Sequence, residues 1–119
     1  MTHSFETGLA CKVGVNGAIF LQNLSFWIAK NKANKRHLHE DRYWTYNSAA
    51  AMVELFPYWN ERQIYHLADT LVKDGLILKR QKGGADRTSW FAFTDKGLAL
   101  MKSHLTNLSD GTDKSVTSI

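Results

Sequence analysis

The first residues, Met1 to about Gly14, show no clear apolar period and predict a flexible N-terminal arm. From Asn16 the spacing turns helical. Phe20, Leu24, Trp27 and Ile28 fall on one face, and Ile19, Asn23, Phe26 and Lys30 form a flanking stripe. So wide an apolar surface predicts a central helix, about Gly17 to Asn31, packed on two sides. The polar, basic stretch from Asn31 to Asp41 predicts a loop. Arg42-Tyr43-Trp44-Thr45-Tyr46 is aromatic and β-branched and predicts a short strand. Asn47 or Ser48 then offers an N-cap to a short alanine-rich helix, which Pro57 stops at about Leu55.

Asn60, with Gln63 three residues on, has the spacing of a capping box. Behind it, Ile64, Leu67, Ala68, Leu71 and Val72 form an apolar stripe that ends at Gly75, a residue suited to a helix C-terminus. A helix over about Glu61 to Asp74 is predicted. Leu76 to Gln81 and Thr88 to Phe93 predict two strands joined by a turn over Lys82 to Arg87, a hairpin with a basic tip. Thr94 or Asp95 caps a last helix, about Lys96 to Leu105, with Leu98, Met101 and Leu105 on its apolar side. Trp27, Trp44, Trp90, Phe91 and Phe93 are expected in the core between the first helix and the sheet. Tyr58 and Trp59 are expected to pack in the turn before the third helix.

The order of elements describes an α+β winged helix-turn-helix. It has a three-helix core, a two- to three-stranded β-wing and a C-terminal helix. The expected division is an arm over 1–14, the winged-helix domain over 15–106 and a disordered, Ser/Thr/Asp-rich tail over 107–119. The 119 residues suffice for one such domain, and 44% hydrophobic with 22% charged residues is ordinary globular composition. No apolar run is long enough to span a membrane, and the N-terminus lacks a secretory pattern. The single cysteine, Cys11, rules out an internal disulfide and a cysteine-based zinc site. A cytoplasmic protein is expected, nucleoid-associated if it binds DNA.

Charge changes this picture by where it lies. The chain carries a net charge of only +4, which permits a polyanionic partner without requiring one. Four bases (Lys79, Arg80, Lys82, Arg87) against one acid (Asp86) concentrate it in the hairpin. These four are the expected phosphate contacts. A second cluster, Lys30, Lys32, Lys35, Arg36 and Arg42, surrounds the loop after the first helix. The outward face of the third helix carries Arg62, His66, Asp69, Thr70 and Lys73, with Gln63 at its edge. A major groove is wide enough for an α-helix. Arg62 suits guanine, Gln63 suits adenine and His66 suits base or phosphate. Asn60, at the start of the helix, completes the expected recognition set, while Thr70 and Lys73 suit the DNA backbone. Asp69 is discordant unless it accepts from cytosine or pairs with Arg62 or Lys73. Double-stranded DNA is the expected partner. A homodimer through the first or last helix would widen the footprint.

Catalytic and metal chemistry find no support. His37-x-His39-Glu40-Asp41 is rich in possible ligands but lacks the helical spacing of a zincin. No phosphate-binding loop, dinucleotide fingerprint or nucleophile elbow is present. No enzyme and no cofactor are expected. The rival reading is a winged helix used for protein–protein contact without specific DNA binding, with Glu61, Asp69 and the modest net charge on its side.

Four runs resemble the N-terminal winged-helix domains of phage and plasmid replication initiators. They are Ala18-Ile19-Phe20-Leu21-Gln22-Asn23-Leu24-Ser25-Phe26-Trp27-Ile28, Tyr43-Trp44-Thr45-Tyr46-Asn47-Ser48 ahead of Leu55-Phe56-Pro57-Tyr58-Trp59-Asn60, and Asp86-Arg87-Thr88-Ser89-Trp90-Phe91. The resemblance covers about Asn16 to Thr94. It implies a mobile-element protein that binds double-stranded DNA in replication initiation or transcriptional control, with a replication or regulatory protein as a further partner. Such proteins commonly carry a second, helicase-recruiting domain that these 119 residues do not hold, so either a piece of a longer protein or a small stand-alone binder is expected. Where the family opens its recognition helix with Ser or Thr and basic residues, this chain has Asn60-Glu61-Arg62.

Overall fold

In a computed structural model, which describes residues 2–81 and 88–106, the chain folds around a helix that begins ten residues earlier than its apolar stripe predicts. This helix, α1 (Thr7–Ala33), is capped by Glu6, whose carboxylate accepts the Gly8 and Leu9 backbone N–H groups at 2.8 Å. Gly14, at φ 85° and ψ 159°, breaks it into two helical stretches. The reading of residues 1–14 as an arm is therefore corrected for Thr7 onward. Leu9 is completely buried, and that burial outweighs the low helix propensity of the glycines around it.

Past α1 the expected loop contains a small antiparallel hairpin, β1 (Leu38–His39) and β2 (Arg42–Tyr43). Its two turn residues, Glu40 and Asp41, both have positive φ, at 56° and 62°. That is the I′ sense that matches strand twist. The single strand expected over Arg42–Tyr46 is thus split at Trp44. Its second half, β3 (Thr45–Asn47), joins a different sheet.

The next elements follow the caps. Ser48 starts α2 (Ala49–Leu55), and the reciprocal Asn60/Gln63 box starts α3 (Glu61–Lys73). Gly75, at φ 78°, makes the left-handed turn that ends α3. The strands β4 (Ile77–Gln81) and β5 (Ser89–Phe93) pair antiparallel, and β3 adds to β5, giving the order β3-β5-β4. Thr94 caps α4 (Asp95–Met101), and a π-helical turn, Lys102–Thr106, follows it. The architecture is α+β, with four helices and two small antiparallel sheets among the described residues. The expected hairpin tip, Lys82 to Arg87, and the tail from Asn107 lie outside them.

The core gathers Phe20, Leu21 and Leu24 of α1, Met52 and Phe56 around α2, and Ile64, Ala68 and Leu71 of α3. Ile77, Phe91 and Phe93 of the sheet and Met101 of α4 close it. Phe20 contacts both Phe56, at 5.8 Å between ring centroids, and Phe91, edge-on at 5.7 Å. Three expectations about the core need correction. Trp27 is only half-buried. Trp90 alternates away from Ser89 and Phe91 and so lies on the outer face of the sheet. Leu98 points out of α4, because Gly97 seats that helix against the Leu76 backbone. Trp59 is half-buried against Phe56, whereas Tyr58 is exposed.

Candidate nucleic-acid interface

The capping box fixes where α3 begins and hence which side chains leave its outer face. Asn60 Oδ1 accepts the Gln63 N–H, and Gln63 Oε1 accepts the Asn60 N–H, both at 2.8 Å. Ile64, Ala68 and Leu71 then point into the core, and Arg62, His66, Asp69, Thr70 and Lys73 face solvent. The expected outward face is thus present, but its members are not equally available. Gln63 uses its amide oxygen in the cap, so two-point pairing with an adenine would cost it that bond. Asn60 is engaged in the same way. Thr70 donates its hydroxyl to the His66 carbonyl at 3.0 Å. The side chains of Arg62, His66 and Lys73 are exposed and have no hydrogen-bond or ion-pair partner among the described residues.

Two of the four expected phosphate contacts are occupied. The tight turn at Gly75 brings β4 back along α3, so Lys79 reaches Asp69 at 3.3 Å and lies 4.8 Å over the Tyr65 ring. Asp69, discordant on a DNA-facing surface, therefore answers a strand lysine and not Arg62 or Lys73. Arg80 leaves the opposite face of β4. It forms a two-pronged ion pair with Glu40 at 2.6 and 2.9 Å and stacks 4.9 Å from the Trp44 ring. Hydrogen bonding from Arg80 holds the Glu40 carboxyl below its ordinary range, and the same bond raises the guanidinium. Lys82 and Arg87 lie outside the described residues.

The basic cluster around the first loop also divides. Lys30 sits 5.3 Å over Trp27. Arg42 donates to the Phe93 carbonyl at 3.0 Å and pairs with Asp95 at 3.1 Å. Lys32, Lys35 and Arg36 are exposed, with no side-chain partner among the described residues. The sequence reading missed the Glu40–Asp41 turn that delivers Glu40 to Arg80. The only signal for it was a pair of short β-prone dipeptides around two acids, without the glycine that usually marks such a turn.

Among the described residues, no group of three or more His, Cys, Asp or Glu could hold a metal ion. His37 and His39 instead pack edge-on against Trp90, at 5.3 and 6.2 Å. No helix among the described residues is long and apolar enough to cross a membrane. Cys11 is exposed on the first stretch of α1. No protein-family model, curated protein or solved structure matches the chain.

Proposed function

We propose that this chain is a winged-helix protein of a phage, plasmid or other mobile element that binds double-stranded DNA. It acts there in replication initiation or transcriptional control, within the cytoplasm. The observation that carries the reading is the face of α3. Arg62, His66 and Lys73 stand exposed on a capped helix, free of competing partners among the described residues, beside an antiparallel hairpin. In this reading α3 enters the major groove, with Arg62 at a guanine and His66 at a base edge or phosphate. Lys73 lies on the backbone at the far end of the helix.

One observation favours the rival, a protein-binding winged helix. Lys79 and Arg80 are matched by Asp69 and Glu40, which lowers the positive potential of the hairpin. Anisotropy titration with duplex DNA from a site-selection screen, over a range of salt, separates the two. DNA binding predicts that Arg62→Ala relaxes preference at one base pair by ~1–3 kcal/mol. Lys73→Ala weakens all sequences alike and lowers the salt slope by roughly one unit. No duplex binding at low salt, or two variants indistinguishable from the parent, would leave the protein-binding reading.

A further inference from the structure

We propose that the outer face of the β3-β5-β4 sheet, with the concavity beside it, holds an unpaired DNA strand by stacking its bases. This site is separate from α3. The two faces are divided by the alternation of β4, which sends Lys79 toward α3 and Arg80 outward. The register places Tyr46, Trp90 and Arg80 in one row across the three strands. Tyr46 and Trp90 stack at 4.6 Å with an interplanar angle of 29°. His37 braces both rings edge-on at 5.3 Å, so the stack is held in place before any ligand arrives. Tyr46 still exposes 45% of its surface, a large aromatic area to leave in water.

Beside Tyr46 lies a concavity of about 320 Å³, lined in part by Trp27, Asn31, Arg36, His37, Tyr46 and Asn47. Its size is at the lower end of small-molecule sites, roughly 300–1,000 Å³, and suits one base with part of its sugar. The lining supplies what an unpaired base needs. Tyr46 offers a ring, and Asn47 and the amide oxygen of Asn31 offer edge partners. The Asn31 amide nitrogen is already committed to the Trp44 carbonyl at 2.9 Å.

Charge selects the occupant. Arg36, just past the end of α1, is exposed and lines the concavity, and no acid among the described residues lines it. A stacking surface with an exposed guanidinium at its edge fits a polyanion with bases turned outward, because every base has a face to stack and every nucleotide a phosphate. A duplex keeps its bases inside and cannot use the Tyr46 ring.

The test is anisotropy at low salt with a labelled short oligothymidylate, an abasic oligomer of the same length and charge, and a duplex. The parent protein should bind the oligothymidylate more tightly than the abasic strand. Tyr46→Ala should lose roughly five- to a hundredfold in single-strand affinity and Tyr46→Phe almost none, with duplex binding moved by neither. Equal binding of abasic and base-bearing strands overturns the proposal, and that comparison needs no variant to fold. Undetectable oligothymidylate binding, or an unchanged Tyr46→Ala, also overturns it. Failure of the duplex arm alone would count against α3 and leave this site standing.

Discussion

Gly97→Ala tests how the last helix is fastened. A Cβ built on Gly97 falls 2.0 Å from the Leu76 carbonyl oxygen and 3.1 Å from Phe93 Cδ1. Carbon–oxygen contacts settle near 3.3–3.6 Å, so the gap must open by about 1.3 Å. Neither partner yields easily. The Leu76 carbonyl accepts the Thr94 N–H at 3.1 Å, Leu76 is buried at the start of the hairpin, and Phe93 lies in the core. Thr94 is pinned as well, accepting the Gly97 N–H at 2.9 Å and donating to the Gly75 carbonyl at 2.6 Å. Overpacking against backbone costs about 1–3 kcal/mol or more. Loss of the Thr94–Leu76 bond adds about 1 kcal/mol, and the better helix propensity of alanine returns about 1 kcal/mol. The last two cancel, so a net loss of about 1–3 kcal/mol is expected, at the upper end because the clash is with backbone, read as a lower urea midpoint by tryptophan fluorescence with the m-value unchanged. Ala99→Gly, at an exposed position of the same helix, should cost only about 1 kcal/mol and serves as control. A Gly97→Ala protein as stable as the parent would mean that α4 is not seated on Leu76, and the account of why Leu98 faces solvent would fall with it.

Glu40→Gln removes the charge that occupies Arg80. If the hairpin meets phosphates, the plot of log affinity for duplex DNA against log salt should steepen by about one unit; an unchanged slope would place Arg80 away from the DNA. Glu6 gives a pH signature. Hydrogen bonds from the Gly8 N–H, then Leu9 and His104, hold its carboxyl below the ordinary 4.5 despite partial burial. A depressed folded-state value means stability that is present above pH 4.5 and lost as pH falls below it. Urea midpoints from neutral to acid pH should show that loss, and Glu6→Gln should remove part of it.

What could be read in the sequence was local. Ser48, Asn60 with Gln63, Gly75 and Thr94 each mark an element boundary through a hydrogen bond or a dihedral that spans at most a few residues, and α2, α3 and the hairpin strands lie where those signals put them. The exposed face of α3 followed from the same periodicity. The start of α1 did not, because its propensity is poor and its order comes from Leu9 meeting the core and Glu6 meeting His104, nearly a hundred positions away. The state of the basic residues was hidden for the same reason. Lys79 and Arg80 are adjacent, yet strand alternation sends one to Asp69 and the other forty residues back to Glu40. Trp90 shows the limit of composition: a tryptophan is expected inside, but its register opposite Tyr46 decides its side.

The break at Gly14 has a kinetic meaning. A helix propagates because each residue fixed adds a bond to the turn before it, and a dihedral of 85° and 159° interrupts that succession. Residues 7–13 and 15–33 are therefore two cooperative units joined at a kink, with separate opening equilibria. The first is tied to the rest through Leu9 and the Glu6–His104 contact, so its amides should exchange with solvent faster than those around Phe20 and Leu24. Through the contact of His104 with Glu6, the turn after α4 contributes to how often residues 7–13 open.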